Sequence, residues 1–219
     1  MKKAVVIGGT GMVGTQLIKQ LIVDKNYSEI VSLVRRPSSI SHPKLSEKVI
    51  DFDQPEGWKA FVTGDVLFST LGTTIAQAKT KDAQYKVDFT YQFNVAEIAA
   101  ENGVPSYILI SSAGADSKSR VFYTNMKGKL EDAVKALPFS VISIIRPGQL
   151  AGERTEKRTT EKIALYVMYG LNKVGLFKRY KPIQGWQVAQ AMIHAAEKKK
   201  SCSYTLDEVF VLGKNKLFH

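Results

Sequence analysis

The sequence predicts an α/β fold, a doubly wound parallel sheet of the Rossmann type with strand order 3-2-1-4-5-6. Short apolar runs alternate with segments of helical periodicity, which is typical of a parallel sheet covered by helices on both faces. The first run, Ala4–Ile7, ends in glycines spaced G-x-x-G-x-x-G. Behind them Leu17, Ile18, Leu21 and Ile22 lie on one side of a predicted helix. A strand, a glycine turn and a helix in this order open a Rossmann sheet.

The remaining strands are short apolar runs that end near turn residues. They are expected at Glu29–Val34, Lys48–Phe52, Asp65–Leu71, Ser106–Ser112 and Ser140–Arg146. Helices are expected at about 55–62, 81–102, 122–137 and 184–198. In the longest helix apolar residues recur with helical spacing, and Asn102-Gly103 ends it.

Residues 1–219 are expected to form a single domain, in which roughly 149–184 is a small helical lid over the sheet edge. The periodic pattern loosens after Gly148, and a highly charged stretch precedes an apolar helix predicted at Ile163–Phe177. Cations follow this helix, so attachment to a membrane surface is an alternative. A lid helix or a dimer contact is the preferred interpretation.

The composition indicates a soluble globular protein, because 44% of the 219 residues are hydrophobic and 23% are charged. No run approaches the roughly 18 apolar residues of a membrane span. A single cysteine excludes an intramolecular disulfide and suits a reducing compartment, so the predicted location is cytoplasmic. Three scattered histidines predict no metal site. The net charge of +11 is spread along the chain, which favours a solvated basic surface over a nucleic-acid site.

The glycine turn is the first candidate binding site. Backbone N–H groups converge at the start of a helix, and glycines let a pyrophosphate approach the backbone closely. The loop residues predicted to bind this group are Gly8, Gly11, Met12, Val13 and Gly14. A dinucleotide is the expected ligand.

The residues after the second strand indicate which dinucleotide is bound. An acidic residue there would bind the ribose 2′-hydroxyl of NAD, but this strand runs directly into Arg35-Arg36. Guanidinium groups bind a 2′-phosphate through bidentate, charge-assisted hydrogen bonds. The sequence therefore predicts NADP(H), with a pair of exposed loop arginines as the alternative.

Two further strand ends complete the predicted cofactor site. Asp51 ends the third strand, where it either approaches the adenine or caps the following helix. Leu71, Gly72 and Thr73 end the fourth strand, and this carboxyl edge lies beside the predicted cofactor trough.

The candidate catalytic residues are Ser112, at the end of the fifth strand, and Tyr123 and Lys127 on the following helix. The Tyr-x-x-x-Lys spacing places the phenol and the ammonium one turn apart on one helix face. The cation favours the phenolate form, so Tyr123 can give a proton to a carbonyl oxygen or take one from a hydroxyl. Ser112 can hydrogen-bond the same oxygen, and Lys127 also reaches the nicotinamide ribose. Ser111, the structural neighbour of Ser112, is expected among the cofactor-binding residues.

The glycine triplet, the serine-ended strand and the Tyr-x-x-x-Lys helix together resemble the short-chain dehydrogenase/reductase superfamily, in its atypical or extended branch. A closer likeness is to the Tat-interacting-protein-like oxidoreductases. The segments that carry it are Leu71-Gly72-Thr73-Thr74, Ser111-Ser112-Ala113-Gly114-Ala115-Asp116, Tyr123-Thr124-Asn125-Met126-Lys127-Gly128 and Arg146-Pro147-Gly148-Gln149-Leu150.

This resemblance implies NADPH bound by the glycine loop, by the two arginines, by Leu71-Gly72, and by the tyrosine and lysine of the helix. It also implies contacts near the nicotinamide from the segment that begins at Pro147. Leu150 and Arg158 are the candidates there.

These residues predict an NADPH-dependent oxidoreductase that transfers hydride between the cofactor and a small, apolar carbonyl substrate. The alternative is an NADP(H)-binding regulatory or redox-sensor module that acts through a protein partner, because folds of this type host both kinds of function. A nucleotide-sugar epimerase shares these residues but is expected to need a longer C-terminal part. A monomer and a homodimer both fit the sequence.

Overall fold

The strand β1 (Lys2–Ile7) lies inside a parallel sheet in the computed structural model, which describes residues 1–151 and 182–214. It pairs with β2 (Tyr27–Val34) on one side and with β4 (Val66–Ser69) on the other. The other strands are β3 (Leu45–Val49), β5 (Ser106–Ile110), β6 (Val141–Arg146), β7 (Leu150–Ala151), β8 (Ile183–Gln184) and β9 (Cys202–Thr205).

In the described part of the chain, seven strands form this sheet in the order β3-β2-β1-β4-β5-β6-β9, and every neighbouring pair is parallel. The predicted doubly wound sheet is therefore confirmed, with its strand order. The edge strand β9 was not predicted because it has no apolar run, and only its Tyr204 is buried.

Helices cover both faces of the sheet. They are α1 (Met12–Val23), α2 (Ile75–Ala78), α3 (Lys81–Tyr85), α4 (Tyr91–Glu101), α5 (Phe122–Lys135), α6 (Gly185–Glu197) and α7 (Asp207–Leu212). The short helix predicted near residues 55–62 consists of two 3₁₀ turns, Pro55–Gly57 and Lys59–Phe61.

Alternate residues of β1 show how the core is divided. Ala4 and Val6 pack in a cluster with α1 and α6, whereas Val5 and Ile7 pack in a second cluster with α4 and α5. All four side chains are fully buried. The strand is thus apolar throughout because both of its faces are covered.

The third strand lies earlier than predicted, at Leu45–Val49 rather than at Lys48–Phe52. The misleading apolar signal comes from Phe52, which lies beyond the strand and packs against Trp58. Most residues of β3 are only half-buried, as expected for an edge strand. The buried Phe52 therefore led to a strand predicted too late in the chain, because a buried apolar residue is also what a strand would show.

The longest predicted helix is interrupted by a π-helical turn, Lys86–Thr90, between α3 and α4. Three polar side chains, Gln84, Asp88 and Gln92, are buried at intervals of four residues. The Nε2 atom of Gln92 donates to the Asp88 carbonyl oxygen at 2.7 Å, and Ser69 Oγ donates to Gln92 Oε1 at 2.7 Å. Buried polar atoms therefore tie this turn to β4.

Most of the predicted lid, 149–184, lies outside the described residues, and so does the helix predicted at Ile163–Phe177. The two described ends of this segment are paired, because β7 and β8 are parallel with Leu150 opposite Ile183. The first described range therefore ends at β7, and the second range brings β8 back beside it. Helix α6 follows β8 directly.

Gly128 tests how closely α5 packs on the loop that follows β5. A Cβ at this position would lie 2.1 Å from Ser117 N and 2.2 Å from Asp116 C, which are both backbone atoms. We expect Gly128→Ala to lower the free energy of unfolding by about 1–3 kcal/mol, because the helix must move away. Urea unfolding measures this loss. Gly57→Ala is the control, since a Cβ there meets nothing within 4 Å; equal losses in the two variants would contradict the packing.

Candidate active site

The glycine turn after β1 packs against the segment after β4 and the start of α1. The contacts are so close that a side chain larger than hydrogen would not fit at Gly8 or Gly14. Gly8 has a φ of 78°, and a Cβ there would lie 2.5 Å from the backbone nitrogen of Leu71, just after β4. A Cβ on Gly14, in the first turn of α1, would lie 2.1 Å from the Gly8 carbonyl oxygen. Gly11 N–H donates to the same oxygen at 2.9 Å. The turn thus requires glycine at two of the three predicted positions.

The N-terminus of α1 is suited to bind an anion. Its N-cap residue, Gly11, makes no side-chain capping bond, and the first turn carries no acidic residue. The free N–H groups and the helix dipole both favour negative charge. Met12 is half-buried and lies against Gly185 of α6, while Val13 is buried in the core cluster that α1 shares with α6. The residues present therefore fit a pyrophosphate.

A cavity of about 420 Å³ lies beyond the ends of β2 and β3, within the usual size range of small-molecule sites. Two cations, one carboxylate and several apolar side chains line it. These residues are Arg35, Ile50, Asp51, Phe52, Ala83, Lys86, Val87 and Tyr91. The structure thus brings the predicted Arg35 and Asp51 together, whereas Arg36 is exposed and does not line this cavity.

Lys86 adds a cation to this cavity that was not predicted. Its Nζ lies 2.8 Å from Asp53 Oδ2, and the Tyr91 hydroxyl donates to the same oxygen at 3.0 Å. The hydrogen bond from Lys86 is the largest cause that lowers the pKa of the Asp53 carboxyl. This pair is exposed, so water and salt reach it.

The predicted segment after β4 connects the glycine turn to the π-helical turn. Leu71 lies against Gly8, as described above, and packs on the core cluster that includes α4. Thr73 N–H donates to Asp88 Oδ2 at 2.9 Å. A Cβ on Gly72 would lie 3.3 Å from Asp88 Oδ1. The segment therefore lies directly against the Asp88 carboxylate.

The same carboxylate binds the predicted catalytic lysine. Lys127 Nζ lies 3.3 Å from Asp88 Oδ1, and the two side chains are only 4% and 2% exposed. Burial raises the pKa of the Asp88 carboxyl, while Lys127 and the Thr73 N–H oppose this shift in part. The buried Asp88 carboxylate thus contacts both Thr73 and Lys127, which the sequence assigned to the site.

The two serines after β5 differ in their surroundings. Ser111 is 4% exposed, and its Oγ has no hydrogen-bond partner among the described residues. Ser112 is half-buried, and its Oγ donates to the Ala113 carbonyl oxygen at 3.3 Å. Ala113 N–H donates to Pro147 O at 3.0 Å, which joins this segment to the one after β6. Ser112 is thus the more accessible of the two serines, and which of them is catalytic stays a prediction.

Tyr123 lies in the first turn of α5, one turn before Lys127, and it is 38% exposed. The start of this helix is anchored, because Asn125 Nδ2 donates to Ser117 O at 2.6 Å. The phenol therefore faces accessible space from a fixed turn, while the ammonium one turn later is buried.

The remaining predicted residues lie at the C-terminal side of the sheet or beyond it. Pro147 is buried directly after β6, and Leu150 begins β7. Arg158 lies outside the described residues. The cofactor contacts of all three stay predictions.

Two residues of this region were missed at the sequence level. Asp88 belongs to the row Gln84, Asp88 and Gln92, whose spacing of four beside an apolar row could have indicated a buried polar stripe. Lys86 carries no such signal, because a lysine at an exposed helical position is ordinary.

Fold and site together define a dinucleotide-binding Rossmann protein. The family described as NAD(P)H-binding matches residues 8–199, and this chain belongs to that family. A nicotinamide dinucleotide is therefore the class of cofactor that the family binds.

Curated relatives carry the name FMP52. The fmp52 protein of Emericella nidulans is 36% identical over 181 residues, which cover 80% of this chain and 78% of the relative. The FMP52-1 protein of Scheffersomyces stipitis is 33% identical over 200 residues, which cover 89% and 88% of the two chains. The similarity thus extends over most of both proteins.

Solved structures with this fold include sugar-nucleotide enzymes. The ADP-L-glycero-D-manno-heptose-6-epimerase of Helicobacter pylori has a TM-score of 0.69 and 20% identity, covering 94% of this chain and 76% of the epimerase. The enzyme WbmH of Bordetella bronchiseptica, solved in complex with NAD⁺, has a TM-score of 0.69 and 13% identity, covering 93% and 75%. At such identities the likeness shows the fold alone.

Two expectations change with these comparisons. The predicted cytoplasmic location is wrong, because the FMP52 relatives are named mitochondrial proteins. These relatives are not named Tat-interacting proteins, so the likeness to that subfamily stays a prediction while membership of the NAD(P)H-binding family is established.

Residues 1–151 and 182–214 contain neither of two other kinds of site, a metal centre and a membrane span. No group of three or more His, Cys, Asp or Glu side chains there is arranged to hold a metal ion. In the same residues, no helix has the length and apolar character to cross a membrane.

Gly14→Ala tests whether the turn is the pyrophosphate cradle. The added methyl group would displace the Gly8 carbonyl and the start of α1, so we expect NADPH affinity to fall at least about tenfold. Isothermal titration measures the dissociation constant. Gly11→Ala should lose less, because its Cβ would lie 3.2 Å from the same oxygen. Unchanged NADPH affinity in Gly14→Ala would contradict the assignment.

Proposed function

We propose that this protein is an NADPH-dependent oxidoreductase of the short-chain dehydrogenase/reductase type, acting on a small, apolar carbonyl compound. The observation that carries the proposal is the buried pair of Lys127 with Asp88, one helical turn from the accessible Tyr123. This group adjoins the segment after β4, which in turn lies against the glycine turn. A cradle for a dinucleotide and a proton-transfer group are therefore neighbours at one edge of the sheet.

Each residue has a distinct role in this proposal. NADPH, when bound, supplies the hydride. Tyr123 donates a proton to the substrate oxygen, and Ser112 hydrogen-bonds that oxygen and orients it. Lys127 stabilises the phenolate that Tyr123 becomes and holds the hydroxyls of the nicotinamide ribose.

The cavity beyond β2 and β3 supports a preference for NADPH over NADH. No carboxylate ends β2, and the cavity instead combines the guanidinium of Arg35 with the ammonium of Lys86. Both cations favour the 2′-phosphate. The apolar lining, together with Asp51, suits the adenine ring.

The names of the FMP52 relatives support a mitochondrial location. Immunofluorescence of the tagged protein in a host cell tests this, and co-localisation with a mitochondrial stain is the expected outcome.

The Tyr123→Phe variant tests the chemistry. It removes the proton donor but keeps the ring, so we expect turnover to fall by at least about a hundredfold while the NADPH dissociation constant changes less than about twofold. The assay follows NADPH absorbance with aldehydes, ketones and quinones. Tyr204→Phe is the matched control, because it also removes a tyrosine hydroxyl but does so on the edge strand β9, which carries no residue of the proposed site.

Undiminished turnover in Tyr123→Phe would discard the mechanism. Tight NADPH binding by the wild type, without turnover of any compound in the panel, would instead favour a redox-sensor module.

Arg35→Met and Lys86→Met test the cofactor preference. Each removes a cation from the cavity, so we expect NADPH affinity to fall about tenfold or more with little change for NADH. Lys19→Met, an exposed position on α1, controls for the loss of one positive charge. Equal losses for NADPH and NADH in both cavity variants would contradict recognition of the 2′-phosphate.

A further inference from the structure

The loop that follows β2 carries the two predicted arginines, and hydrogen bonds hold it on both sides of them. Before the arginines, the Val34 carbonyl oxygen at the end of β2 accepts the Ile50 N–H at 2.9 Å. After them, Ser38 N–H donates to Glu47 Oε2, on the edge strand β3, at 2.9 Å. The arginines therefore lie between two fixed points of the backbone.

The backbone between and beyond these points has little freedom. Pro37 fixes its own φ, and its ring restricts the preceding residue, Arg36, to extended conformations. Beyond the second point, Ser38 Oγ accepts the Ile40 N–H at 3.1 Å, and Ile40 packs against the core cluster that includes α1. The loop itself thus fixes the backbone that carries the arginines.

Glu47 lies at a position where a carboxylate is otherwise unfavourable. Its neighbour in register on β2 is Ser32, which is fully buried. The second carboxylate oxygen, Oε1, is buried and has no hydrogen-bond partner among the described residues. A negative charge beside the arginine loop also opposes the binding of a phosphate. The favourable contribution of Glu47 is therefore its charge-assisted bond to the Ser38 N–H.

We propose that Glu47 is a positioning residue for cofactor specificity, which holds the loop through Ser38 so that Arg35 stays at the cavity beyond β2 and β3. An arginine on a backbone that is already in place binds a 2′-phosphate with a smaller loss of conformational entropy. NADH has no such phosphate, so its binding gains nothing from the loop. This inference rests on the proposed function, because it assumes that Arg35 meets the 2′-phosphate of NADPH.

Glu47→Val and Glu47→Gln separate the hydrogen bond from the charge. Valine suits a strand but offers no acceptor for the Ser38 N–H, whereas the glutamine amide oxygen keeps the acceptor without the charge. Calorimetry measures the dissociation constants of NADPH and NADH for each variant. We expect the preference for NADPH over NADH to fall about fivefold or more in Glu47→Val. In Glu47→Gln it should stay within about twofold of the wild type or rise.

Glu29→Val is the matched control, because it also replaces a paired glutamate on a strand of the sheet, but near the start of β2. There Glu29 Oε1 lies 3.1 Å from Lys3 Nζ, away from the arginine loop. The control should keep the wild-type preference even if it lowers the melting temperature. Wild-type preference in Glu47→Val, or an equal loss in Glu47→Gln and Glu47→Val, would overturn the positioning role.

A measurement on the wild type keeps the proposal testable if Glu47→Val does not fold. Amide hydrogen exchange, followed by NMR on the protein without cofactor, should show Ser38 N–H protected at least about tenfold relative to an unstructured peptide of the same sequence. Exchange at the peptide rate would contradict the proposal, since the loop would then not be held before the cofactor binds. Failure of the proposed function has a different signature, because the wild type would then bind NADPH no better than NADH or bind neither.

Discussion

The carboxyl end of β1 lies so close to the end of β4 that no side chain fits between them. A Cβ on Gly8 would reach the backbone of Leu71, and a Cβ on Gly14 would reach the Gly8 carbonyl. Because of this contact α1 starts directly after the turn, and neither a side-chain cap nor an acidic residue occupies its N-terminus, which suits an anion. The rest of the site is built outward from this point, first to the segment after β4 and then to Asp88.

Beyond the glycine turn, the site depends on polar groups that the fold buries at a cost. Asp88 holds both Thr73 and Lys127, and burial raises the pKa of its carboxyl. The π-helical turn makes this possible, because Gln92 satisfies the Asp88 carbonyl with its side chain. At the other end of the site, exposed cations line the cavity beyond β2 and β3, where solvent screens them. The two halves of the candidate site thus have opposite electrostatic environments, buried around Asp88 and Lys127 and solvated around Lys86.

The fold was predictable because β1 is apolar on both faces and because a glycine turn joins it to a periodic helix. The same logic failed for β9, whose only buried residue is Tyr204, and it misplaced β3 because Phe52 is buried outside the strand. A local run of apolar residues indicates that those residues are buried. A buried residue can lie in a strand or in a loop that packs against the sheet, so the run alone does not tell the two apart.

The candidate site, like the fold, was predictable from the sequence only in part. The expected neighbours Arg35 and Asp51 do line one cavity, and Lys127 and Thr73 do share one region. Their common partner Asp88 was missed because a carboxylate within a helix is normally solvated, and only the three-dimensional packing shows that this one is buried. The roles of these residues toward cofactor and substrate stay predictions.

The central claim is that one dinucleotide spans both halves of this site, and a crystal structure of the protein with NADPH tests it most directly. The account predicts the 2′-phosphate beside Arg35 and Lys86, the pyrophosphate over the glycine turn, and the nicotinamide ribose at Lys127 with the ring beside Tyr123. A nicotinamide directed away from Tyr123 and Lys127 would contradict it.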